Sequence, residues 1–160
     1  MTYTVRQLSE RTGLSVYTIR YYAREGLLLD VPRSASGARR FEERHLMLLD
    51  MVECLKACGM TIGEIGEFIR WTDEGDGTLP RRLELITQQE VRLRERMEAL
   101  QQAADMLRYK RWMYTVAEKA GTMAVFDTMS DGDVPDDILA VQKRLVRQGH
   151  AAAAVPERRG

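Results

Sequence analysis

Ser15-Val16-Tyr17-Thr18-Ile19-Arg20-Tyr21-Tyr22-Ala23-Arg24-Glu25-Gly26-Leu27-Leu28 decides the reading of this chain. The run places three tyrosines and two arginines on one short helical segment that stops at Gly26. A plain core helix does not expose so many large hydrogen-bonding side chains. A helix pressed against a nucleic acid does. Upstream, Thr4-Val5-Arg6-Gln7 has the form of a capping box, in which Thr4 caps a helix and Gln7 reaches back. That helix runs to about Thr12, turns Val5 and Leu8 inward and ends at Gly13. Ser15 then caps the second helix, which ends near Glu25. Two short helices joined by a tight glycine-containing turn form a helix-turn-helix unit.

Downstream, Leu27 to Phe41 reads as two short extended pieces around a Pro/Ser/Gly turn, a small β-ribbon with Arg33, Arg39 and Arg40 at its tip and return strand. A helix follows from Glu42 to Cys58, with Leu46, Leu49, Val52 and Leu55 among its apolar positions and Gly59 as its stop. Thr61-Ile62-Gly63-Glu64 is a second capping box and opens a helix to about Trp71. The acidic, glycine-rich stretch Asp73-Glu74-Gly75-Asp76-Gly77 reads as a hinge. From Pro80 to about Lys119, Ile86, Leu93, Leu100, Leu107 and Tyr114 recur every seven residues, with Leu83 and Met97 on the second seam. Heptads sustained over about five repeats predict a coiled coil. One long helix would leave that stripe in water, so a partner helix is required, and a second copy of the chain supplies it most simply. Ile86, Leu93, Met97, Leu100 and Leu107 are the candidate dimerisation residues. Gly121 to Phe126 is apolar, Pro135 to Arg147 reads as a short helix, and Ala151 to Gly160 reads as disordered.

Charge separates the ends of the chain. The 160 residues hold 24 basic and 24 acidic side chains, a balance that by itself argues against a strongly basic DNA-binding protein. Residues 1–40, however, carry seven arginines against three carboxylates, and 120–139 carry five aspartates and no basic residue. The N-terminal part is therefore the polyanion-facing end. No apolar run approaches the roughly 18 residues of a membrane span, and the N-terminus lacks the apolar stretch of a signal peptide, so the expected location is the cytoplasm. The predicted class is mainly α. Residues 1–72 form a winged helix-turn-helix domain, 73–79 a hinge, 80–119 a dimerisation helix and 120–160 a partly disordered effector segment or tail.

These motifs resemble the MerR family of bacterial transcription regulators. The resemblance rests on Thr4-Val5 with Leu8-Ser9, Thr18-Ile19-Arg20-Tyr21-Tyr22, Gly26-Leu27-Leu28, Arg33, Gly37, Arg39 and Phe41 of the ribbon, and Gly59-Met60-Thr61-Ile62 with Ile65. It covers about residues 1–70, with the long helix matching by architecture. It implies DNA contacts from Tyr17, Thr18, Arg20 and Tyr21, and phosphate contacts from Arg33, Arg39 and Arg40 of the wing. Two departures occur: the family's aromatic after the ribbon glycine is Ala38 here, and its later tyrosine is Phe41, so a hydroxyl is missing at each place. The resemblance further implies an antiparallel coiled-coil dimer on double-stranded promoter DNA. Such a dimer bends and untwists an overlong spacer so that RNA polymerase meets both promoter elements in register, an indirect partnership with the polymerase. The physics is a deformation cost of several kcal/mol offset by contact energy.

The signal is less determined. Metal-sensing relatives place cysteines around the coiled-coil helix, and residues 72–149 contain no cysteine or histidine. No metal and no cofactor is expected. About forty residues follow the coiled coil, too few for the large ligand domain of multidrug-sensing relatives. Cys54 and Cys58 remain. Both sit on a helix that packs the core, so a structural role is one reading. The run Cys54-Leu55-Lys56-Ala57-Cys58-Gly59-Met60 resembles the branch that answers aldehydes and nitrosative or oxidative stress, which implies a reactive thiol at Cys54; Cys58 is not usually part of that pattern and is a candidate resolving thiol. Lys56 and Arg44 would lower the thiol's pKa if they lay near it. Trp71 and Trp112 either wall a small effector pocket or pack an interdomain contact. His45 begins a helix and reads as a surface or capping residue. A thiol redox enzyme is disfavoured, because a four-residue spacing is not Cys-x-x-Cys, and the chain is expected not to be an enzyme. An effector-free DNA-binding factor with structural cysteines is the alternative.

Overall fold

The structure is a computed structural model that describes residues 2–149. The elements run β1 (Thr2–Tyr3), α1 (Val5–Thr12), α2 (Val16–Arg24), β2 (Phe41–Glu42), α3 (Glu43–Ala57), α4 (Ile62–Glu74), α5 (Leu79–Ala120) and α6 (Asp136–Arg147), with 3-10 turns at Asp76–Thr78, Met123–Asp127 and Asp131–Asp133. No helix among the described residues is long and apolar enough to cross a membrane. His150 and the tail Ala151–Gly160, read as disordered from sequence, lie outside the described residues.

Local chemistry starts the helices where the sequence places them. The Thr4 hydroxyl accepts from Gln7 N–H at 3.3 Å, and Gln7 Oε1 accepts from Thr4 N–H at 2.8 Å. Ser15 Oγ accepts from Thr18 N–H at 3.0 Å. Thr61 and Glu64 repeat the capping box at α4. Each arrangement satisfies amides that the first helical turn leaves without an internal acceptor. Backbone donation to its carboxylate, joined by Arg92 at 2.7 Å, holds Glu64 below the usual carboxylate range. At the end of α1, Gly13 takes φ +74°, a left-handed conformation that turns the chain directly into α2.

The chain divides into two compact units, Met1–Leu93 and Arg94–Gly160. The boundary falls inside α5, not at the 73–79 hinge read from sequence. That stretch is ordered: α4 continues to Glu74, and Thr78 is buried with its hydroxyl donating to Gly75 O at 2.8 Å and to Trp71 O. In the first unit, Leu8, Ile19, Tyr22, Leu27, Phe41, Leu49, Val52, Ile65 and Ile69 form the buried core. His45 is fully buried, not a surface residue, and it caps α3: its Nδ1 accepts from Glu42 N–H at 2.7 Å, which leaves Nε2 to donate to Leu29 O at 2.9 Å.

The ribbon read from sequence contracts to a single antiparallel bridge, Arg33 with Arg39. The ladder forms elsewhere, where β1 pairs antiparallel with β2 in the register Thr2 to Glu42 and Tyr3 to Phe41. Leu27 and Leu28 are core residues and not ribbon residues. Apolar burial claims the first half of the predicted ribbon, and the N-terminal strand claims its last residue.

The second unit is more ordered than a tail. Tyr109 and Met113 of α5 pack with Ile138, Val141 and Leu145 of α6 into a small core of their own. Across it, Arg144 Nε and Nη2 donate to Asp105 Oδ2 and Oδ1 at 2.8 and 3.1 Å, while Gln101 donates to Oδ1 at 3.2 Å. Asp105 is only 4% exposed, and the Arg144 bond holds its carboxyl below the usual range. A carboxyl depressed in the folded state stabilises fully above its unfolded pKa of about 4, and that stability is lost as pH falls through the folded value. In a Trp71→Phe background, urea unfolding followed by Trp112 fluorescence is expected to weaken below about pH 4. Asp105→Asn is expected to lower the midpoint at neutral pH and flatten that acid slope. An unchanged slope would remove Asp105 from the account.

Candidate nucleic-acid interface

Two residues on α2 decide which way the helix faces. Ile19 and Tyr22, three apart, are both buried. The Tyr22 phenol donates to Glu53 Oε1 at 2.7 Å and accepts from Lys56 Nζ at 2.6 Å, both on α3. Burial raises the phenol's pKa above its ordinary value. With that edge locked inward, helical geometry puts Tyr17, Arg20 and Arg24, at i, i+3 and i+7, on the outer face. Tyr17 is 77% exposed, and neither its hydroxyl nor the Arg20 guanidinium has a partner among the described residues. Arg24 lies over the Tyr21 ring at 5.5 Å and pairs with Glu25 at 3.5 Å.

The remaining α2 candidates sit on the flank. Tyr21 is half-buried against the core with its ring 5.8 Å from that of Tyr22. Thr18 is half-buried, and its hydroxyl shares a 2.8 Å hydrogen bond with Ser15. Arg24 was not among the residues singled out from sequence, yet its spacing from Tyr17 and Arg20 carried the signal.

In the wing, Ser34 N–H donates to Ala38 O at 2.7 Å and Gly37 N–H to Ser34 O at 2.8 Å, closing a tight turn. Gly37 sits at φ +79°, which favours a residue without Cβ. Arg33 Nη1 donates to Gly37 O at 3.0 Å and braces the loop, while Arg40 is anchored through its backbone to Pro32 O at 2.7 Å. The side chains of Arg39 and Arg40 have no partner among the described residues. Arg40 is exposed and Arg39 half-buried, and guanidinium groups left without partners suit phosphate oxygens, which they meet with paired N–H donors.

Both cysteines are exposed rather than packed in the core. Cys54 lies on α3 and Cys58 caps its C-terminal end. The two cations considered for the thiol are engaged elsewhere. Lys56 holds Tyr22 and Glu53, and Arg44 holds Glu42 at 3.1 Å and Asp30 O at 3.0 Å. Cys58 lines a cleft of ≈ 180 Å³ with Leu55, Met60, Ile86, Gln89 and Leu93. Trp71 packs on the core of the first unit and Trp112 on that of the second.

Along α5 most of the heptad residues remain in water. Within the first unit Leu83 and Ile86 are exposed, and Leu93 is half-buried. Within the second, Met97, Leu100, Leu107 and Tyr114 are exposed, Leu107 by 71%.

Comparison with known proteins agrees with this architecture. Residues 3–70 match the MerR HTH family regulatory protein family, and residues 46–109 match the MerR DNA-binding family. The chain is 37% identical over 123 residues to an uncharacterized HTH-type transcriptional regulator of Haemophilus influenzae, covering 77% of this chain and 91% of that one. It is 31% identical over 91 residues to the HTH-type transcriptional regulator AdhR of Bacillus subtilis, covering 57% of this chain and 65% of that one. Among solved structures it resembles HiNmlR, described as a MerR family regulator lacking the sensor domain, bound to promoter DNA. That match has a TM-score of 0.63 at 37% identity and covers 78% of this chain and 99% of the other. With a helix-turn-helix core, a basic wing and a 42-residue helix in matching order, the chain belongs to the MerR family of helix-turn-helix regulators.

Proposed function

We propose that this chain binds double-stranded promoter DNA as a homodimer and activates transcription by bending and untwisting the spacer between promoter elements. The observation that carries the reading is the outer face of α2, where Tyr17 and Arg20 stand exposed and without partners among the described residues, in the same compact unit as the basic wing. In this reading α2 enters the major groove, with Tyr17, Thr18, Arg20 and Tyr21 as its contact residues. Arg33, Arg39 and Arg40 hold phosphate from the wing. Arg24 joins the α2 set by its spacing. A relative bound to promoter DNA supports the polyanion as DNA.

Dimerisation follows from solvation. Ile86, Leu93, Met97, Leu100 and Leu107 form an apolar stripe, and burying each side chain against a partner helix is favourable by roughly 1.5–3 kcal/mol before association costs. Two DNA-binding units on one coiled coil engage two half-sites, and contact energy from both offsets the deformation of the DNA between them. RNA polymerase is reached through the reshaped promoter rather than by contact.

For the signal, Cys54 is the proposed sensor of electrophiles, aldehydes or thiol oxidants, with Cys58 as its accessory thiol. Exposure of both thiols supports reagent access and weighs against a purely structural role. Each α3 cation near them in sequence is already paired, so activation of the thiol does not rest on Lys56 or Arg44.

Arg20→Ala is expected to weaken promoter binding by about 1–3 kcal/mol in fluorescence anisotropy. Arg39→Ala is expected to lower the salt slope by about one counterion. No change in either variant would remove that residue from the interface. Sedimentation velocity is expected to give twice the chain mass, with the double variant Leu100→Glu, Leu107→Glu shifted toward the monomer; a monomeric parent chain would exclude the dimer. Cys54→Ser is expected to abolish promoter induction by formaldehyde, methylglyoxal or diamide while leaving DNA affinity intact. Undiminished induction would make Cys54 a bystander.

A further inference from the structure

The apolar seam of α5 contains two charged side chains of opposite sign, Glu90 and Arg111. Both occupy the heptad position of Leu83 and Met97, and they lie 21 residues apart. At a rise of about 1.5 Å per residue they are separated by roughly 30 Å of helix, so they never meet within one chain. Two copies aligned in parallel would set Glu90 against Glu90 and Arg111 against Arg111. Two antiparallel copies set each Glu90 near an Arg111, twice per dimer.

The ends of the seam fix the register. The stripe runs from Leu83 to Tyr114. A two-fold axis between Met97 and Leu100 leaves none of its members unpaired across the interface. A shift of one heptad in either direction strips two seam residues from one end of each helix, Leu83 and Ile86 or Arg111 and Tyr114. In the centred register Leu107 of one copy lies opposite Glu90 of the other, and Arg111 opposite Ile86, one layer away.

That register aims Leu107 at a hole. Glu90 lines the ≈ 180 Å³ cleft between Ile86 and Leu93, and Leu55, Cys58 and Met60 line it from the α3 end. The Gln89 amide donates to Cys58 O at 2.5 Å and ties the end of α3 to α5. Leu107 is 71% exposed, a knob without a hole in its own chain. Cys54, one turn earlier on α3, is not among the residues of the cleft.

We propose that the second copy's Leu107 fills the cleft beside Cys58 while its Arg111 pairs with Glu90, so that Cys58 becomes a thiol of the dimer interface. The pairing rests on the dimer proposed above and adds its register and the thiol it covers. A group added to the Cys58 sulfur takes the space of the knob and opposes dimerisation. The same group on Cys54 leaves the cleft free for the knob.

Two measurements on the full chain test this. In sedimentation equilibrium, Glu90→Arg and Arg111→Glu are each expected to weaken the dimer about tenfold, and the variant carrying both to regain the parental affinity. Rescue between positions so far apart on one helix comes only from the other copy. Alkylation by N-ethylmaleimide, in which the thiol adds across the ring alkene and its proton passes to the adjacent carbon, is followed at each cysteine by mass spectrometry. Cys58 is expected to react several-fold more slowly in the parent dimer than in the Leu100→Glu, Leu107→Glu chain, with Cys54 unchanged. A dimeric parent in which the double charge reversal brings no recovery would overturn the proposal and leave the dimer standing. So would a dimeric parent whose Cys58 reacts as fast as in the disrupted chain. A monomeric parent would overturn both.

Discussion

The Tyr22 phenol fixes the working face of this protein. Its ring is buried, and burying a phenol is favourable only if its hydroxyl finds a partner. Glu53 and Lys56 supply that partner from α3 at 2.7 and 2.6 Å. The rotation of α2 about its own axis is thereby set from the inside. Once Ile19 and Tyr22 face inward, Tyr17 and Arg20 have no choice but to face water. The residues proposed to meet DNA owe their placement to a contact that never touches DNA.

A similar division governs α5. Within the second unit, one face of the helix gives Tyr109 and Met113 to the small core shared with α6. Leu107 and Tyr114 point elsewhere and remain in water. Apolar residues therefore occur on more than one side of the helix, each side with its own reason. The buried side has a partner in the same chain, and the exposed stripe is what a second copy would cover.

Much of this was legible in the sequence, and what was legible is local. Thr4 with Gln7, Ser15, and Thr61 with Glu64 mark helix starts through hydrogen bonds that span three residues. The long helix followed from its heptads. Non-local pairing was not legible. Nothing near Thr2 announces that it will pair with Glu42, and that ladder reduces the expected ribbon to the Arg33–Arg39 bridge. The glycine-rich stretch after Asp73 read as a hinge because composition does not reveal that the Thr78 hydroxyl is buried against Gly75 O. Cys54 and Cys58 are four apart and so share a helix face, but only packing shows that the face is open. Arg24, seven residues after Tyr17 on the same helix, lies within reach of the spacing rule. The small core of Tyr109, Met113, Ile138, Val141 and Leu145 requires α6 to fold back onto that part of α5, which no short-range pattern encodes.

The central claim is that the α2 face and the wing seat a dimer on promoter DNA and reshape the spacer. Hydroxyl-radical footprinting of the full chain on its own promoter region tests this most directly. The account predicts two protected patches related by a two-fold axis centred in the spacer between the −35 and −10 elements, with enhanced cleavage at the centre where the DNA is distorted. Protection confined to one half-site, or spread with no preference for the spacer, would contradict it.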